Sequence, residues 1–127
     1  MSVLGDHDVA ATLATTDMDA ARSFYEGTLG LEPVMALPDA LVYSAGKSRL
    51  MVYRSDFART NRATGATWAV GAELDSIVQD LRRRGVVFEH YDLPDTTRDG
   101  DIHEVGGMRG VWFKDPDDNI LSLVNHE

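Results

Sequence analysis

The sequence predicts an α+β chain made of two βαβββ modules in tandem. Three observations carry that expectation. Short words recur at nearly constant spacing: Asp17-Met18-Asp19 returns as Glu73-Leu74-Asp75, Gly30-Leu31 as Gly85-Val86, and Leu50-Met51-Val52 as Leu121-Ser122-Leu123. Each repeat opens with a strand-like run followed by a stretch of helical periodicity. Each closes on short apolar runs separated by turn residues. Repetition of this kind marks a duplicated structural unit, and neither unit could bury its sheet face and its helix alone, so the two must pair.

The elements follow in order. Residues 8–15, DVAATLAT, form a strand-like run that ends in polar Thr15-Thr16-Asp17. Asp17 or Thr16 then caps a helix, because a short oxygen-bearing side chain accepts first-turn N–H groups that lack partners. Met18, Ala21, Tyr25 and Leu29 lie near one face of that helix, and Gly30 stops it. Three strands are expected next, at 31–37, 40–45 and 48–55, with turns at Pro38-Asp39 and Gly46-Lys47. The first module is therefore residues 8–55. Residues 56–65, DFARTNRATG, lack periodicity and read as a linker.

The second module is residues 66–127. It begins with a strand at 66–72, and Leu74, Ile77, Val78 and Leu81 then give the i, i+3, i+4, i+7 spacing of an amphipathic helix. Gly85 closes that helix as its C′ residue, and Arg82-Arg83-Arg84 place cations at the negative end of its dipole. Further strands are expected at 86–92, 108–114 and 119–125. Residues 92–107, DLPDTTRDGDIHEVGG, read as an irregular insertion that accounts for the greater length of this half.

Composition narrows the function. The 127 residues suit one domain and one sound core. With 12 basic against 21 acidic residues the formal charge is −9, which repels nucleic acid, and no basic stripe interleaved with aromatics offsets it. No apolar run approaches the ~20 residues of a membrane span. MSVLGDHDV has neither a basic start nor an apolar stretch, so no signal peptide is expected. The absence of cysteine excludes disulfides, thiolate metal sites and cysteine nucleophiles, and fits a cytoplasmic location. There is no G-x-S-x-G, and the glycines of "GAT" and "VGGM" lack the spacing of a phosphate loop.

The stretches TTDMDAARSFYEGTLGLEPV (15–34), ELDSIVQDLRRRGVVF (73–88) and WFKDPDDNILSLV (112–124), in this order, resemble the vicinal oxygen chelate family of glyoxalase I, extradiol dioxygenases and bleomycin resistance proteins. The resemblance implies mixed sheets that curl into a cup. It departs at Asp118, where the family's turn usually has glycine; Asp tolerates a left-handed backbone better than most residues. In the family's metalloenzymes the ligands lie at equivalent places on the first and last strands of each half. Here those places hold Ala10, Met51, Ala66 and Ser122. A slip of one residue brings only Val9, Ala11, Gly65, Thr67, Leu121 or Leu123. None suits a hard divalent cation, which needs carboxylate, imidazole or several neutral oxygens. No metal and no cofactor are expected.

If those four positions face the cup, period-two alternation adds Thr12, Ala14, Tyr53, Trp68, Val70, Ile120 and Val124. Val9, Ala11, Leu13, Leu50, Val52, Leu121 and Leu123 then face the helices, as do Val111 and Phe113, leaving Trp112 for the cup. The expected ligand-binding set is therefore Ala10, Thr12, Met51, Tyr53, Ala66, Trp68, Trp112 and Ser122, suited to a flat or greasy organic molecule. His7, His90 and His126 read as surface residues. Asp99, Asp101, His103 and Glu104 read as a solvated loop that can form a rim or lid, or lend acid–base groups. The resulting expectation is a metal-free, small-molecule-binding homodimer akin to the drug-sequestering bleomycin resistance proteins. The alternatives are a metal-independent enzyme acting on a small metabolite and, less favoured, a glyoxalase- or dioxygenase-type metalloenzyme.

Overall fold

The computed structural model describes residues 4–126. The chain divides into two compact units, with the boundary between Thr60 and Asn61.

In the first unit, β1 (Ala10–Thr15) leads to α1 (Met18–Arg22), then β2 (Glu32–Leu37), β3 (Ala40–Ala45) and β4 (Ser48–Arg54). Asp17 is the cap of α1, its carboxylate accepting from the N–H groups of Asp19 and Ala20. The helix continues through Ser23–Thr28 in wider, π-type turns, in which the Leu29 N–H reaches back to the Phe24 carbonyl. The strands lie in the order β1-β4-β3-β2. β1 and β4 run parallel, as a strand–helix–strand crossover demands, while β3 and its neighbours are antiparallel hairpin partners. Register pairs Val52 with both Leu13 and Leu41, and Leu50 with Tyr43, so one face of the sheet is a continuous apolar surface. These residues are buried together with Ala21 and Tyr25 of the helix. Tyr25 stacks on Tyr43 at 5.9 Å, and the Tyr43 hydroxyl donates to Glu26 at 2.9 Å.

The second unit contains β5 (Thr64–Ala69), a short 3₁₀ turn (Gly71–Glu73), α2 (Leu74–Arg83), β6 (Thr97–Asp99), β7 (Ile102–Val105), β8 (Met108–Lys114) and β9 (Ile120–Val124). Its sheet order is β5-β9-β8-β7-β6, again with one parallel pair, β5 and β9. Leu74, Val78 and Leu81 of α2 are buried, as are Phe88, Val111, Phe113, Leu121 and Leu123. Among the described residues no helix is long and apolar enough to cross a membrane.

Three expectations need correction. Residues 86–92 form no regular strand: only Phe88 bridges to Phe113, and the Glu89 N–H donates to the Trp112 carbonyl. The supposedly irregular 92–107 supplies the hairpin β6–β7 instead, with β7 taking the place beside β8. Its turns are chemically apt, because Gly100, Gly106 and Gly107 all have positive φ, and a two-residue turn with both residues positive matches strand twist. The third correction concerns β5, which starts at Thr64 inside the expected linker and carries a register shift between Thr64 and Ala66. The shift pairs Thr67, rather than Trp68, with Ser122. Directly paired residues share a face, so Ala66 and Trp68 sit with Leu121 and Leu123 on the side expected to face a helix.

The β8–β9 turn behaves as its sequence suggests. Asp118 adopts φ 63°. Asp115, almost fully buried, accepts from the N–H groups of Asp117 and Asn119 and from the Asn119 side-chain amide, at 2.8–2.9 Å.

Candidate functional site

The register of the second sheet gathers one set of side chains on a single face. His103 pairs with Gly110 and Gly110 with Val124; Val105 pairs with Met108; Trp112 pairs with Ser122, and Ser122 with Thr67. On this face lies a cavity of about 100 Å³ that is open to solvent. Its wall is almost wholly apolar and includes Leu93, His103, Val105, Met108, Trp112 and Val124. Gly110 matters here because a Cβ on it would lie 3.2 Å from the Leu123 carbonyl and 3.4 Å from a Val124 methyl.

His103 is one of three residues with polar side chains along that wall, with Thr96 and Arg109. It is 3% exposed and is held between aromatic neighbours: its ring centre is 4.8 Å from Trp112, edge to face, and 6.3 Å from Tyr91. Tyr91 and Trp112 also meet edge to face at 5.4 Å. The Tyr91 backbone N–H donates to His103 Nε2 at 3.0 Å. A nitrogen that accepts a hydrogen bond carries a lone pair, so the imidazole is neutral and its proton resides on Nδ1. Nδ1 has no hydrogen-bond partner, alone in this among buried side-chain polar atoms of the described residues. Leaving such a donor unpaired costs about 1–3 kcal/mol, so the position is conspicuous against a well-satisfied interior.

Next to this wall is a charged group. Asp101 accepts from His90 Nε2 at 2.6 Å and from Arg82 at 2.7 and 2.9 Å. Partial burial would push the Asp101 carboxyl up, but the hydrogen bonds from His90 and Arg82 outweigh it and hold the carboxyl below its ordinary range. Burial first, and Glu89 second, push the Tyr91 phenol up. Arg109 forms a two-point pair with Asp75 at 2.9 and 3.0 Å, and that bond draws the Asp75 carboxyl down.

The expected site residues are distributed as follows. Trp112 and buried Ser122 share the cavity's face of the second sheet, and Trp112 lines the cavity itself. Ala66 and Trp68 do not lie on that face. In the first unit, Ala10, Thr12, Met51 and Tyr53 share the face opposite the buried one, since Thr12 pairs with Met51 and Ala14 with Tyr53. Tyr53 there is 40% exposed, and Met35 and Leu37 each 54%. His103 was read as a solvated loop residue; it is buried because β7 is a strand that turns it onto the sheet. The available signal was the pair of glycine turns at Asp99-Gly100 and Gly106-Gly107, which bracket a strand-length segment. Among the described residues no group of three or more His, Asp or Glu side chains is placed to hold a metal ion.

Comparison with known proteins agrees with the topology. Residues 7–123 match the model of the Glyoxalase/Bleomycin resistance protein/Dioxygenase superfamily. Similar solved structures include a lactoylglutathione lyase from Agrobacterium tumefaciens, 21% identical with a TM-score of 0.70 over 94% of this chain and 92% of that one. A bleomycin-binding protein complexed with bleomycin is 18% identical with a TM-score of 0.71, covering 96% and 99%. The fosfomycin resistance protein FosX from Mesorhizobium loti is 13% identical with a TM-score of 0.68, covering 96% and 93%. At these identities the structural likeness speaks for the fold alone, whereas the family match spans nearly the whole chain: the protein belongs to the glyoxalase/bleomycin resistance/dioxygenase superfamily.

Proposed function

We propose that the chain binds a small, flat organic molecule in the cavity of its second unit, without a metal, and holds it unchanged as a sequestering protein does. The observation that carries this reading is the apolar and aromatic wall around Trp112. Small-molecule sites combine such walls with a few placed polar groups. A bleomycin-binding protein of similar fold, complexed with bleomycin, supports a binding role. Thr67 and Ser122 share the cavity's face of the second sheet in place of Ala66 and Trp68; in the first unit, Ala10, Thr12, Met51 and Tyr53 share one face of their own sheet. The exposed apolar side chains of Met35 and Leu37 favour association of two copies, which a sedimentation mass at micromolar concentration measures directly.

The residues do not fit a resident metal ion. Ala10, Met51, Ser122, and either Ala66 or its neighbour Gly65, offer no carboxylate or imidazole where the family's metalloenzymes place ligands. A second reading, metal-independent catalysis, rests on the His90–Asp101 pair. A carboxylate bound to Nε2–H orients an imidazole, as in a catalytic triad.

Thermal shift tests the proposal. A planar ligand at a hundred times its Kd stabilises by about 2.7 kcal/mol. For a chain of 127 residues that raises Tm by about 10 °C. Zinc, nickel, manganese and magnesium should each leave Tm in place. An ion-specific rise reversed by chelator would overturn the metal-free reading, and steady turnover of the bound compound would replace sequestration by catalysis.

A further inference from the structure

We infer that Arg98 selects the ligand: the cavity takes an aromatic carboxylate, its ring against the apolar wall and its carboxylate at the mouth, held by the Arg98 guanidinium. This rests on the binding reading above and narrows it to a ligand class.

The register places Arg98. It pairs directly with His103, which pairs with Gly110, which pairs with Val124, so these four residues form one row across β6, β7, β8 and β9. Directly paired residues share a face, and His103, Gly110 and Val124 all line the cavity. Arg98 therefore leaves the sheet on the cavity's side, one strand beyond the wall. Thr96, two residues earlier in the chain, lines the cavity as well and joins this edge of the hairpin to the mouth.

Arg98 is exposed and has no hydrogen bond or ion pair among the described residues. The acids of its own hairpin cannot reach it by alternation, since Asp99 is its chain neighbour and Glu104 pairs with Thr97. Asp101 is bound to Arg82 and His90. Asp92 and Asp95, in the segment before β6, are exposed and make no ion pair with it. Arg109 borders the cavity too, but it pairs with Glu104 on the opposite face, where its guanidinium is taken up by Asp75. No carboxylate is among the residues that line the cavity. The field at the mouth is thus locally positive in a chain of net charge −9, and at physiological salt the remaining charges are screened beyond about 8 Å.

The chemistry of the head group follows. A planar carboxylate matches the guanidinium fork through two parallel hydrogen bonds. One cation balances one negative charge, whereas a phosphate dianion would leave half of its charge uncompensated. A cavity of about 100 Å³ has room for one ring. Arg98 stands two strand spacings, about 10 Å, from Gly110 along the row. A short aliphatic arm between ring and carboxylate, together with the flexible arginine stem, spans that distance.

Three probes of nearly equal shape test this on the native chain: 3-phenylpropanoate, its neutral amide, and 3-phenylpropylammonium. Affinities are measured by calorimetry, and the Trp112 indole and Arg98 side-chain N–H signals are followed by NMR. The carboxylate should bind about fivefold tighter than the amide, the upper range for an exposed ion pair of good geometry, with the ammonium weakest. In Arg98→Gln the preference should vanish, and Arg98→Lys should restore part of it by keeping the charge without the fork. Raising salt to about 0.5 M should erode it. Arg98 lies exposed on an edge strand, so both variants should fold. Equal affinities for acid and amide, or a preference that survives Arg98→Gln, overturn the role of Arg98; if Trp112 still responds to every probe, the cavity reading stands. Binding of none of the three at millimolar concentration overturns both.

Discussion

Asp115→Ala is expected to be among the most damaging single changes outside the cavity. The Asp115 carboxylate accepts two backbone N–H groups, from Asp117 and Asn119, and the Asn119 side-chain amide. Asp115, Asp117 and Asn119 are all buried, so water cannot easily replace what the mutation removes. Hydrogen bonds to a charged group are worth about 1.5–3 kcal/mol each. Counting only the two backbone donors left unpaired, the loss is about 3–6 kcal/mol, a large share of the 5–15 kcal/mol typical of a domain. At about 2.1 cal/mol/K per residue, 127 residues convert 3 kcal/mol to a fall in Tm of about 11 °C. The consequence reaches the site, because this turn sets the register that places Trp112 opposite Ser122. Urea unfolding followed by circular dichroism, with a parallel thermal scan, gives both numbers. Asp115→Asn, which retains one acceptor oxygen, should cost clearly less. A loss below about 1 kcal/mol for the alanine variant would refute the claim that the carboxylate organises the turn.

Other consequences can be checked the same way. Tyr43 is fully buried and donates to Glu26 at 2.9 Å. Tyr43→Phe should therefore destabilise the chain by about 0.5–1.5 kcal/mol in urea melts, the net worth of one hydrogen bond, because half-buried Glu26 keeps its Arg22 partner at 3.2 Å. The hydrogen bonds from His90 and Arg82 hold the Asp101 carboxyl below the ordinary carboxylate range. A depressed folded-state value means that stabilisation is present above the unfolded value and lost as pH falls through the folded one. Native stability should thus decline below about pH 4, and the part due to Asp101 should disappear from the pH profile of Asp101→Asn. Gly110→Val should reduce affinity for any cavity ligand, because even a Cβ there already crowds Val124 and the Leu123 carbonyl; unchanged affinity in calorimetry would place the ligand elsewhere.

Much of the architecture was legible because it follows from local chemistry repeated twice. Asp17 caps α1, and Leu74, Val78 and Leu81 line the buried stripe of α2. Gly30 and Gly85 end their helical segments at φ 74° and 92°. Asp118 takes the left-handed conformation that its turn requires. The site was harder to read. Spacings of 56 and 55 both fitted the repeat, and only the register shift between Thr64 and Ala66 decides that Thr67 accompanies Ser122. A bulge depends on backbone pairing across strands, which side-chain periodicity does not record. β6 and β7 escaped notice because Thr97, Arg98, Asp99, His103 and Glu104 are polar and the strands are short. His103 is buried by tertiary contacts with Tyr91 and Trp112, and nothing in its immediate neighbours announces them.

The most direct measurement is an NMR titration of the native protein with 3-phenylpropanoate in excess EDTA. The account predicts saturable shifts concentrated at Leu93, His103, Met108, Trp112 and Val124, unchanged when the chelator is omitted. Binding that appears only after a divalent ion is restored, or shifts that leave these five residues unmoved, would contradict it.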